Sequence, residues 1–218
     1  AIFSVASVSK QFTAMAIMIL KEQEKLNYDD KIIKYLPKLP YENITIRHLL
    51  THTSGLVPYH RNFLDEHWDK TKIGDNDYLL SLLEEHNPPL VFEPGESWAY
   101  NNTGYCLLAT IVERVSGLSF EAFLDKYIFA PLGMTSSRVY TKLSNTTPED
   151  YVRGHVYSIL RNKYEDADGT GDNRSYYRGG MVGERGVIST TGDLLKWDRA
   201  LYTEKLVAKQ TLEEAFTS

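Results

Sequence analysis

Apolar residues at Phe12, Met15, Ala16, Ile19 and Leu20 recur at close to helical spacing, which predicts a helix over residues 7–26 ended by Asn27 and Asp29-Asp30. A second strong pattern, Leu107, Leu108, Ile111, Val112 and Val115, predicts a helix over 102–116 stopped by Gly117. Shorter helices are expected over 46–51, with Ser54-Gly55 as the stop, and over 75–86, stopped by Pro88-Pro89. Ser119 can cap a helix over 120–127, Asp193 stands in the first turn of one over 193–202, and 207–216 completes the set. Strand signals are few: residues 151–159 alternate imperfectly, and 179–188 is glycine-rich with short apolar interludes. Glu93-Pro94-Gly95-Glu96 reads as a tight turn, 60–74 as a loop, and 166–172 as an exposed turn rich in Asp and Gly. The pattern predicts a mostly helical body without internal repeats.

Composition narrows the class. The 218 residues suffice for one sizeable domain, and 42% hydrophobic with 12% aromatic content argues for a packed core and against disorder. A net charge of −5, with mixed signs and no basic block, excludes nucleic acid as an expected partner. No apolar run is long enough to span a bilayer, so no transmembrane segment is expected. The single cysteine, Cys106, lies in an apolar run and reads as a core residue rather than a nucleophile.

Two short patterns carry chemistry. Ser7-Val8-Ser9-Lys10 is an S-x-x-K spacing. A serine hydroxyl needs a base beside it, and residues three apart on a helix share a face, so Lys10 can meet Ser7. Tyr100-Asn101-Asn102 is a Y-x-N spacing just ahead of a predicted helix. A tyrosine hydroxyl near a lysine can relay a proton, and an asparagine amide can both donate and accept. Asn102 is also the expected cap of the helix that follows. His48 and His52 stand at the spacing of a helical zinc pair, with His60 beyond, but Leu49 occupies the place where a zincin carries glutamate. His52 is therefore expected to brace the turn at Thr53-Ser54-Gly55. Asp166, Asp168 and Asp172 lack the closing glutamate of a calcium loop and read as a solvated turn.

The run from Phe3 to Ala14 around Ser7 and Lys10 resembles the nucleophile segment of the serine β-lactamase and penicillin-binding-protein superfamily, in its class C, D-aminopeptidase and esterase branch. Tyr100-Asn101-Asn102-Thr103-Gly104-Tyr105 resembles that family's second motif. The segments starting at Ile46, Phe92, Pro131 and Gly186 agree with it in order.

The resemblance implies an α/β (α+β) β-lactamase/transpeptidase-like fold. It also implies a serine acyl-transfer hydrolase acting on a small amide, ester, D-amino-acid peptide or β-lactam, without metal or organic cofactor. Ser7 would form the acyl-enzyme and supply half of the oxyanion hole from its backbone N–H. Lys10 and Tyr100 would share the acid and base work, and Asn102 would orient Lys10 and the substrate amide. Residues 60–74 and 166–181 would form pocket walls. The family's late Lys/His-x-Gly motif has no match here. The chain is thus expected to be one domain incomplete at both ends and lacking much of the central antiparallel sheet. It would comprise a nucleophile helix (1–26), a mainly helical part (27–190) and return helices (191–218). The competing expectation is an inactive module that binds peptides or cell-wall fragments. For a bacterial source the family implies an extracytoplasmic location.

Overall fold

A computed structural model describes residues 1–59, 66–166 and 177–217. The chain opens with strand β1 (Phe3–Ser4), a 3-10 turn (Ala6–Val8) and helix α1 (Ser9–Glu22). A 3-10 turn (Ile32–Lys34) leads to α2 (Ile46–Leu50), then α3 (Asn76–His86) and α4 (Asn102–Ser116). Next come α5 (Phe120–Leu124), a π-helical stretch (Asp125–Phe129) and α6 (Ala130–Leu132). Strands β2 (Arg138–Val139), β3 (His155–Ser158), β4 (Lys163–Asp166) and β5 (Val187–Ser189) precede α7 (Thr191–Ala200) and α8 (Lys209–Phe216).

The body is mostly helical, as the apolar pattern predicts. At its centre α1 packs on α4, and both are buried almost all round: Phe12 and Met15–Leu20 on one, Thr103–Val112 on the other. A helix buried on every side belongs to the middle of a core, not to its rim. The helix ends earlier than residue 26. Glu24 turns left-handed at φ 57°, and the Lys25 N–H closes the end on the Leu20 carbonyl, while Leu26 still reaches the core.

The caps follow the sequence at most ends. Asp75, Ser119 and Thr190 each accept a backbone N–H from the first turn of their helix, and Gly117 ends α4 at φ 72°. At α4 the cap is Asn101, whose side chain accepts the Gly104 N–H, so Asn102 is the first helical residue and not the cap expected for it.

Three very short strands form an antiparallel sheet in the order β1-β5-β2, with Phe3 opposite Ser189 and Val139 opposite Val187. The expected strand over 151–159 narrows to β3, which pairs with β4 as a separate hairpin. Among the described residues no helix is long and apolar enough to cross a membrane. Cys106 is fully buried in the core, and burial pushes its thiol well above the usual range. The expectations placed on 60–65 and on 167–172, including His60, Asp168 and Asp172, lie outside the described residues.

Candidate active site

Ser7 stands in the 3-10 turn directly ahead of α1, and Lys10 in the first turn of that helix. The S-x-x-K spacing brings Lys10 Nζ to 3.4 Å from Ser7 Oγ. Lys10 is only 7% exposed, so its ammonium depends on fixed partners rather than water. It donates to the Glu184 backbone carbonyl at 2.9 Å and lies 3.7 Å from the carboxylate of the same residue. Its Nζ also sits 4.8 Å from the ring centre of Tyr100 and 5.5 Å from that of Tyr105.

The first turn of α1 is fastened on one side to residues 183–187. Thr13 Oγ1 donates to the Gly183 carbonyl at 2.7 Å, and Ser9 Oγ accepts the Val187 N–H at 3.1 Å. Gly183 carries φ 92°, and a Cβ there would meet the Tyr105 carbonyl oxygen at 2.3 Å. Only glycine lets this segment lie against α4 and still aim its carbonyls at α1. Glu184 is buried among Tyr59, Arg185 and Lys10. Its Oε1 accepts from the Tyr59 hydroxyl at 2.7 Å and from Arg185 Nε. Desolvation pulls the Arg185 guanidinium down, but Tyr59 and Glu184 more than offset it and leave it raised. Burial holds the Tyr59 hydroxyl well above the usual phenol range.

Tyr100 and Asn102 arrive from the other side. His52, in a left-handed conformation at φ 61°, accepts the Asn101 N–H on Nδ1 at 3.1 Å, and its carbonyl accepts the Ala99 N–H at 3.0 Å. His52 therefore braces the segment carrying Tyr100 rather than the Thr53-Ser54-Gly55 turn itself. Burial first, and the nearby Lys10 charge second, push its imidazole down to about 4. His48 is occupied differently, closing a capping box with Thr45 at the start of α2. Asn101 ties the same segment down by donating its amide to the Leu56 carbonyl.

The expected link from Asn102 to Lys10 is not made among the described residues; Lys10 Nζ donates to Ser7 Oγ and to the Glu184 carbonyl instead. The buried Oδ1 of Asn102 is left without a hydrogen-bond partner among the described residues. A buried acceptor without a donor is costly. Tyr100 (46% exposed) and Trp98 (66% exposed) form an open aromatic ledge next to this oxygen's segment.

The structure thus brings Ser7, Lys10 and Tyr100 together and sets Asn102 two residues from Tyr100. Sequence reasoning missed Glu184, Thr13, Ser9 and Tyr59. A glutamate between two glycines of a loop is the only signal that could have raised Glu184, and it is a weak one.

The profile of the family described as beta-lactamase matches residues 1–218. The chain belongs to the beta-lactamase family. A penicillin-binding protein of Bacillus subtilis is 41% identical over 218 residues, covering 99% of this chain and 48% of the relative. The crystal structure of a penicillin-binding protein from Bacillus halodurans superposes with a TM-score of 0.84 at 29% identity, over 100% of this chain and 64% of that one. A D-amino acid amidase from Ochrobactrum anthropi, solved with L-phenylalanine amide, superposes with a TM-score of 0.79 at 25% identity, over 98% and 59% of the two chains. The chain spans about half the length of the curated relative it matches. The β-lactamase/transpeptidase-like fold expected from the motifs is the fold found.

Proposed function

We propose that this beta-lactamase family chain carries the nucleophile of a serine acyl-transfer hydrolase, with Ser7 forming the acyl-enzyme. The observation that supports it most is the buried Lys10 ammonium group 3.4 Å from Ser7 Oγ with Tyr100 against it. In this reading Ser7 Oγ attacks a carbonyl carbon, and its proton passes to the unprotonated member of the Lys10–Tyr100 pair, a neutral Lys10 amine or a Tyr100 phenolate. The bond from that carbon to the leaving nitrogen or oxygen breaks, and the pair returns the proton to the leaving group. Water then attacks the ester, releasing the acid and restoring the Ser7 hydroxyl. The backbone N–H of Ser7 supplies one oxyanion donor. Asn102, in the first turn of α4 two residues beyond Tyr100, orients the substrate amide.

The substrate class is a small amide, ester, D-amino-acid peptide or β-lactam. The ledge of Trp98 and Tyr100 supports a group with an apolar side chain or ring at that end. On this reading the protein works outside the cytoplasm, where cell-wall peptides lie.

The test is intact-mass spectrometry of the full-length protein after incubation with a fluorescent penicillin and, separately, a fluorophosphonate. A single covalent adduct that disappears in S7A is expected. Absence of any adduct in a folded, cooperatively melting protein would refute the proposal in favour of a binding module.

A further inference from the structure

We propose that Glu184 is a positioning residue that fixes the place and charge environment of Lys10; this rests on the acyl-transfer reading above. Lys10 is held twice by the same residue, through the backbone carbonyl at 2.9 Å and the carboxylate at 3.7 Å. The division of labour within that carboxylate is the point. Oε1 is filled by the Tyr59 hydroxyl and by Arg185 Nε. Oε2 is the oxygen nearest Lys10, and it stands within ion-pair reach but beyond ordinary hydrogen-bond length. A counter-charge at that separation stabilises a buried ammonium without taking the donor that Lys10 offers Ser7 Oγ. Tyr59 and Arg185 in turn keep the carboxylate from swinging inward to take it.

Glu184 is 2% exposed and Lys10 7%, so water screens the attraction between these two little. A carboxylate placed so deep, facing two cations, is costly unless its geometry is fixed on every side. Here Tyr59 is itself fixed, its backbone N–H donating to Thr103 Oγ1 at 2.9 Å. Arg185 reaches the Tyr59 hydroxyl as well, at 3.4 Å. The first turns of α1 and α4 and the stretch before β5 therefore meet at one carboxylate.

The groups facing this pair are Tyr59, Arg185 and Cys106 around Glu184, and His52, Tyr100 and Tyr105 around Lys10. His52 is pushed down to about 4 and Tyr105 up to about 12, both by burial first, and burial likewise places Tyr59 and Cys106 well above their usual ranges. These four do not titrate over a window of about pH 5.5 to 9.

The experiment measures the rate of fluorophosphonate labelling of the full-length protein across that window, in wild type, E184Q and Y59F, with thermal melts alongside. E184Q keeps the shape and removes the charge. Its labelling profile is expected to move to lower pH, because a negative charge no longer stands 3.7 Å from the cationic group beside Ser7. Y59F removes a hydroxyl but no charge, and with the carboxylate still present its midpoint is expected not to fall below the wild-type value. A midpoint that is unmoved or raised in E184Q overturns the proposal, whatever happens to the rate. So does an equal shift in Y59F, which would mark general loosening. Should E184Q fail to fold, E184D takes its place: withdrawing the carboxylate by one methylene is expected to give a smaller shift in the same direction, and an unchanged profile overturns the idea. Wild-type protein that takes no Ser7-dependent label sinks the acyl-transfer reading and this proposal with it. A labelled wild type with an indifferent E184Q sinks this proposal alone.

Discussion

Acidification should destabilise this protein through His52 before most of its carboxylates matter. The imidazole is part-buried, set between the tilted rings of Tyr100 and Tyr105 with ring centres at 4.6 and 5.1 Å, and its Nδ1 is committed as an acceptor. Its folded value is pushed down to about 4, below the ordinary 6.5 that the unfolded chain regains. Between those values the unfolded state binds the extra proton, so stability is intact above about 6.5 and is lost as pH falls toward about 4. At about pH 5 the full linkage amounts to about 2 kcal/mol, and allowing for partial contact with solvent leaves about 1–2 kcal/mol. The perturbation is His52→Asn. Asparagine tolerates the left-handed backbone at φ 61° and can still accept the Asn101 N–H, but it does not titrate. Urea unfolding of both proteins at about pH 7.5 and about pH 5 gives the readout. Wild type should lose about 1–2 kcal/mol more than H52N over that interval. Equal losses would refute the assignment of a neutral His52 to the folded state.

Two further outcomes follow from the clamps around the site. Gly183→Ala forces a methyl against the Tyr105 carbonyl at a position of φ 92°, and should cost about 2–4 kcal/mol in urea unfolding while slowing Ser7 labelling; a loss below about 0.5 kcal/mol would show that the segment has room to move. Asn101→Ala removes both the α4 cap and the tie to Leu56, and should cost about 2 kcal/mol, with Asn101→Ser, which can still cap and adds no charge, losing less; equal losses in the two variants would place the whole effect in the Leu56 tie.

Much of the body is written in local patterns. The stripe from Phe12 to Leu20 and the one from Leu107 to Val115 are long enough for periodicity to speak, and Ser119 and Gly117 stand where helix ends need them. The strands are different. β1, β2 and β5 have two or three residues each, too few for alternation to register, and they exist because β5 supplies partners on both edges. Adjacent asparagines hid the true cap of α4, since either could have filled the role and only the backbone at Asn101 is extended.

Within the site, Ser7 and Lys10 were legible because they are one helical turn apart. The place of Tyr100 beside Lys10 was legible because a motif carries it, whereas the link expected from Asn102 to Lys10 is not made. Glu184 was not, because its meaning depends on Lys10, Tyr59 and Arg185 converging from three separate stretches. A buried charge looks like a surface charge until its partners are known.

The stitching of α1 to residues 183–187 has a temporal side. Lys10 and Glu184 are 174 positions apart, Thr13 and Gly183 170, and Ser9 and Val187 178. A nascent chain emerging at about 5–20 residues per second carries Ser7 for roughly 10–35 s before Glu184 is even polymerised. Throughout that interval Lys10 lacks the carbonyl and carboxylate that hold it against the serine. Contacts of such high sequence separation close late, after local helices have formed. On the acyl-transfer reading, Lys10 is fixed beside the Ser7 hydroxyl only once these distant contacts close, so the onset of covalent labelling would time that late step of folding.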